Sequence, residues 1–138
     1  MYDRERIASI IGDIERYLSD LQELNITEVS DLDDRRSFYA ASMVLFSILN
    51  RTIDLGEELV AAKNLGMPST YRGIFELLAR DKIVTASLGA ELSRLVFYRN
   101  LLSHEYHRVR EADVLDVSGR MNTVREFVNK AKELLQST

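Results

Sequence analysis

The chain has no cysteine and no tryptophan, one proline and six glycines in 138 residues. Without cysteine there is no disulfide framework and no thiolate metal site. A single proline, Pro68, and scattered glycines force few breaks, so long helices are free to form. No apolar run approaches the roughly 20 residues that span a bilayer. Met1 to Arg6 leads straight into an amphipathic pattern and not into a signal-peptide core. Strong positive charge is also lacking: the formal net charge is −4, which argues against a generic basic coat for nucleic acid. There is no Gly-rich phosphate loop, no nucleophile elbow and no Glu-x-x-His metal pattern. The expectation is one domain over residues 1–138, cytoplasmic, off the membrane, with no cofactor and no metal.

What is present is helical periodicity. A first helix is predicted from about Asp3 to Leu24, with Ile7, Ile10, Ile11, Ile14, Leu18, Leu21 and Leu24 on one stripe. A second, about Asp34 to Asn64, is apolar on more than one face, which marks it as central or as facing a partner chain. Leu65 to Ser69 reads as a stop and restart, Gly66 taking the left-handed position and Ser69 the cap. A short third helix, about Thr70 to Arg80, turns Tyr71, Ile74, Phe75, Leu77 and Leu78 inward. A fourth begins at Thr85 or Ser87, and a last runs from about Glu111 to Leu135. The fold class is all-α: an antiparallel up-and-down four-helix bundle plus a short extra helix.

One stretch breaks this pattern: Arg99-Asn100-Leu101-Leu102-Ser103-His104-Glu105-Tyr106. Leu88, Leu92, Leu95, Arg99 and Leu102 fall at steps of four, three, four and three, so they share a helix face. A permanent cation in an apolar stripe is costly unless it is paired. On the second helix Asn50, Arg51 and Asp54 interrupt the apolar surface. Arg51 reads as surface polarity, and Asp54 as the counter-charge supporting a buried arginine. Between Arg94 and Arg110 the arginines 94, 99, 108 and 110 face one acid, Glu105, so this segment carries +3 and the rest of the chain −7.

These groups suit RNA cleavage without a metal. The reaction needs a base for the ribose 2′-hydroxyl, a cation for the phosphorane and an acid for the leaving 5′-oxygen. His104 can be the base and Arg99 the cation. Tyr106, His107 or a histidine of a second chain can be the acid. Arg94, Arg108, Asn100 and Tyr106 are candidate substrate-binding residues. Phe97, Tyr98 and Tyr106 could stack bases, although Phe97 and Tyr98 read first as packing residues. His104 and His107, three apart, are a weak metal pair because nothing else accompanies them.

The stretch resembles the Arg-x4-His-x-Tyr motif of HepT-like toxins, a branch of the HEPN superfamily of helical ribonucleases. Ile53-Asp54-Leu55, Leu65-Gly66-Met67-Pro68-Ser69-Thr70-Tyr71 and Phe75-Glu76-Leu77-Leu78 precede it in the family's order and spacing. The resemblance implies a helical bundle that dimerises and brings two motifs to one cleft. It implies a metal-independent endoribonuclease, the toxin of a toxin–antitoxin pair. The implied partner is a minimal nucleotidyltransferase antitoxin that transfers AMP to the motif tyrosine. Those roles fall on Arg99, His104 and Tyr106, with Asn100 orienting the motif. Tyr98 departs from the small or apolar residues frequent before the arginine. The rival readings are a non-catalytic helical module that docks a nucleotidyltransferase or a nucleotide, and a structural dimer with a relict motif.

Overall fold

Capping side chains set where each helix begins. In the computed structural model, which describes residues 1–137, α1 spans Arg4–Glu23 and starts where the Asp3 carboxylate accepts the Arg6 N–H. Asp34 caps α2, Arg35–Ala62, by accepting the Arg36 N–H. Thr70 caps α3, Tyr71–Arg80, and Thr85 caps α4, Ala86–His104. The cap of α3 is therefore Thr70 and not Ser69. The left-handed residue directly after α2 is Asn64, at φ 54°, with Gly66 at φ 111° two residues on. Asn64 closes the helix because the Leu65 N–H then reaches back to the Val60 carbonyl at 3.1 Å.

The predicted last helix is two helices. The chain breaks at Gly119-Arg120, giving α5 at Glu111–Ser118 and α6 at Met121–Gln136. The apolar stripe does not register the break, because Val117 and Met121 are still four apart and both buried. The break re-aims the chain. α5 lies on α2 and on the short turn Val29–Leu32, whereas α6 lies on α4 and α1.

α1, α2, α4 and α6 form a ring in which each helix packs on the next. Cross-links fix its antiparallel sense. Arg6 of α1 pairs with Glu58 of α2 at 2.9 Å, and further along α1 Asp13 pairs with Arg51 at 2.8 Å. Arg51 is half-buried and holds Asp54 as well, at 3.0 Å. It clamps α1 to α2 and is not surface polarity. The core inside the ring is aliphatic, with Phe75 and Phe127 meeting edge to face at 5.7 Å.

α3 folds back on α4 as a tight hairpin, and two glycines permit the approach. A Cβ on Gly56 would lie 2.7 Å from Ile74 Cγ2, and one on Gly89 would lie 2.8 Å from Ala79 Cβ. Such distances are well inside van der Waals contact, so the glycines set how deeply α3 sits. Gly89→Ala is expected to destabilise the fold by about 1–3 kcal/mol through overpacking. Ala79→Gly in the same chain should recover part of the loss. Urea denaturation measures both, and an unchanged midpoint for Gly89→Ala would mean that the hairpin has slack.

Candidate functional site

The stripe arginine solves its burial problem without a carboxylate. Arg99 donates through Nε to Asn50 Oδ1 at 2.8 Å and through Nη1 to Asn100 Oδ1 at 3.2 Å. Its guanidinium lies 4.8 Å from the ring centre of Tyr71 and 5.7 Å from that of Phe46. Aromatic faces attract the cation and amide oxygens accept its protons, yet none of these groups cancels its charge. Among the described residues no carboxylate comes within ion-pair distance of Arg99. Asp54 is engaged by Arg51 instead. The amide of Asn50, one turn earlier on α2, does what Asp54 was expected to do.

His104 is the last residue of α4 and is exposed. It lies five positions after Arg99, which on a helix sets the two side chains about 140° apart. Past it, Glu105 ends the helix and Tyr106–Arg108 form a single tight turn. The Tyr106 ring lies 6.4 Å from that of Tyr39, nearly parallel, and 6.3 Å from that of Phe38. The ring is held, and no described residue hydrogen-bonds its hydroxyl. Arg35 covers Phe38 and Tyr39 at 4.5 and 5.1 Å and pairs with Glu111 of α5 at 3.1 Å. Around Tyr106 runs an apolar hollow of about 380 Å³, with Tyr39, Met43, Phe46 and Leu102 in its walls. Ser42, in the same wall, is buried with a hydroxyl that has no hydrogen-bond partner among the described residues.

The other candidates spread out. Arg108 is tied to Glu105 at 3.0 Å. Arg94 lies further back on α4, beside Glu91 at 3.8 Å. Tyr98 is half-buried, and its hydroxyl bonds Asp116 of α5. Burial first, and that bond second, push the phenol above its ordinary pKa, while the bond holds the Asp116 carboxyl below the usual carboxylate range. Phe97 is 60 % exposed, so it is not the packing residue its sequence suggested. Tyr71, expected inward, is 40 % exposed and serves as the seat of Arg99. Sequence reasoning missed Tyr71, Phe46, Tyr39 and Arg35 as surroundings of the motif. The readable hint was on α2, where Phe46 and Asn50 share a face four residues apart.

Known proteins share this arrangement of helices. The cytosolic protein YutE of Bacillus subtilis is 22% identical over 138 residues, covering 98% of this chain and 91% of its own. Its structure superposes with a TM-score of 0.86, covering 99% of this chain and 94% of that one. The mRNA nuclease HepT of Shewanella oneidensis is 32% identical over 81 residues, 58% of this chain and 61% of its own. A tri-AMPylated HEPN toxin of Shewanella oneidensis, solved in complex with an MNT antitoxin, gives a TM-score of 0.85 at 23% identity, covering 96% of this chain and 99% of that one. At these structural identities the likeness shows the fold. Membership rests on the family model for Ribonuclease HepT-like proteins, which matches residues 7–131 with the whole motif inside them, and the chain belongs to that family.

Proposed function

We propose that the chain is a metal-independent endoribonuclease, the toxin of a toxin–antitoxin pair that works in the cytoplasm. The observation that carries this reading is the seating of Arg99 on amides and aromatic rings, which leaves its charge whole five positions before exposed His104 on the same helix. In the reaction His104 takes the proton of the ribose 2′-hydroxyl. The 2′-oxygen attacks phosphorus, and Arg99 stabilises the added charge on the phosphorane. The 5′-oxygen leaves with a proton from Tyr106, His107 or a histidine of a second chain, and a 2′,3′-cyclic phosphate remains.

Because one helix turns Arg99 and His104 apart, two motifs in one cleft serve the chemistry better than one. The apolar strip of Tyr39 and Met43, 53 % and 62 % exposed, beside the Tyr106 hollow supports a homodimer through this face. The proposed partner is a minimal nucleotidyltransferase. It transfers AMP from ATP to the free Tyr106 hydroxyl, with pyrophosphate leaving. The ring stays packed on Tyr39, and the new phosphate lies beside the motif cations, where RNA would bind.

Three outcomes follow. RNA cleavage should persist in EDTA, with Arg99→Ala and His104→Ala each losing about 10²–10⁴-fold and His107→Ala losing less. Inhibition by EDTA would revive the His104–His107 metal reading. Light scattering should give a dimer for the natural chain and a monomer for Met43→Glu; a natural monomer at micromolar concentration removes the shared cleft. Tyr106→Phe keeps the ring contacts, so it should stay folded and keep at least part of its RNA cleavage, yet escape neutralisation by a nucleotidyltransferase with ATP. Intact-mass spectrometry should find adenylate on the natural chain only, and equal labelling of both would move the acceptor elsewhere.

A further inference from the structure

Phe97 is one of several large apolar side chains that the fold leaves in water. It is 60 % exposed, and its ring meets Tyr98 edge-on at 5.4 Å. It stands at one end of a groove of about 740 Å³ between α3 and α4, floored by Gly89. Arg72, Arg80 and Arg94 line that groove against one carboxylate, Glu76. Arg80 is bonded to Asp81 at 3.0 Å, and Arg94 is only loosely held by Glu91 at 3.8 Å. Arg72 has no ion pair or hydrogen-bond partner among the described residues. On a chain of net charge −4 this is a local reversal of sign.

Each wall of the groove continues along its own helix toward residues of the motif or its seat. On α4, Phe97, Asn100 and His104 follow one another at steps of three and four, so they share one face. Seven residues of helix place Phe97 about 10 Å from His104 along the axis, close enough for a base next to the scissile phosphate to reach it. On α3, Arg72 directly follows Tyr71, the ring that carries Arg99. The Tyr39–Met43–Tyr106 hollow is on the α2 side and shares no wall residue with the groove. A dimer through that hollow leaves the groove open.

We propose that the α3–α4 groove is the track on which single-stranded RNA enters the site, with a base stacked on Phe97 and the backbone met by Arg72 and Arg94. The inference rests on the RNA-cleaving reading above and adds the form of the substrate and how it is held. A row of cations with an exposed aromatic ring is how proteins grip single strands with little regard to sequence. A duplex would hide the base faces that Phe97 needs.

The test uses the full chain and a single-stranded 2′-O-methyl oligoribonucleotide, which lacks the nucleophile and is not cleaved. Fluorescence anisotropy should give binding that Phe97→Ala weakens about tenfold and Phe97→Trp preserves. Arg72→Gln should weaken binding and reduce its salt dependence by about one counterion. Light scattering should find both variants dimeric like the natural chain. No binding by the natural chain, or unchanged affinity in Phe97→Ala and Arg72→Gln, overturns the track. So does dissociation of Phe97→Ala into monomers, which would make a second copy the occupant of the groove. The two readings fail separately. Cleavage by the natural chain with Phe97→Ala binding normally sinks the track alone, whereas Phe97-dependent binding without any cleavage sinks the ribonuclease reading and leaves the track standing.

Discussion

The proposed site depends on keeping one guanidinium half-buried with no carboxylate to neutralise it. A carboxylate partner would make burial of Arg99 cheaper, but it would also spend the charge within the protein. Asn50 and Asn100 accept its protons without doing so, and the faces of Tyr71 and Phe46 supply attraction that is not neutralisation. This requirement reaches into the fold. It fixes the register of α2 against α4, because Asn50 must meet Arg99. It fixes where α3 begins, because Tyr71 must lie over the same group.

The bundle places its other charges differently. Arg51, one residue after Asn50, is given two carboxylates, Asp13 and Asp54. That guanidinium is spent on joining α1 to α2. Two neighbouring positions on α2 thus meet two arginines with opposite treatments, one neutralised for structure and one left charged. The contrast separates the site from the scaffold more sharply than burial does, since both arginines are half-buried.

Much of this was legible in the sequence, for reasons that can be named. Ile7 to Leu21 and the second helix follow one period over many residues, and tertiary packing had only to agree. The helix starts near Asp3, Asp34 and Thr85 rest on local capping chemistry and were legible to about a residue, although the sequence pattern begins the first helix at Asp3 and the structure makes Asp3 its cap. The break at Gly119 was not visible, because the stripe from Val117 to Met121 steps across it in phase. Asp54 was given the role of Asn50 because charge was the obvious partner for charge. The fold makes the quieter choice, one turn away on the same face. Tyr71 was assigned to packing, and Phe97 to packing ahead of base stacking, because aromatic residues in helices usually pack. Both face outward, and only three-dimensional placement shows that one seats a cation and the other stands at a groove mouth.

The division of the C-terminal region at Gly119 also grades the molecule in local stability. α5 is eight residues long, with Val114 and Val117 as its buried anchors. Two turns do not hold themselves together in water, so α5 persists through docking and through surface bonds: Tyr98 to Asp116 and Arg35 to Glu111. Segments held in this way open at lower free energy than a core helix, and their amide protons exchange first. Arg35 also lies over Tyr39, on which Tyr106 is stacked. Opening of α5 therefore loosens the support of the Tyr106 ring while the seat of Arg99, built on α2, α3 and α4, is untouched. The motif spans a boundary between a rigid half and a breathing half, with the arginine on one side and the tyrosine on the other.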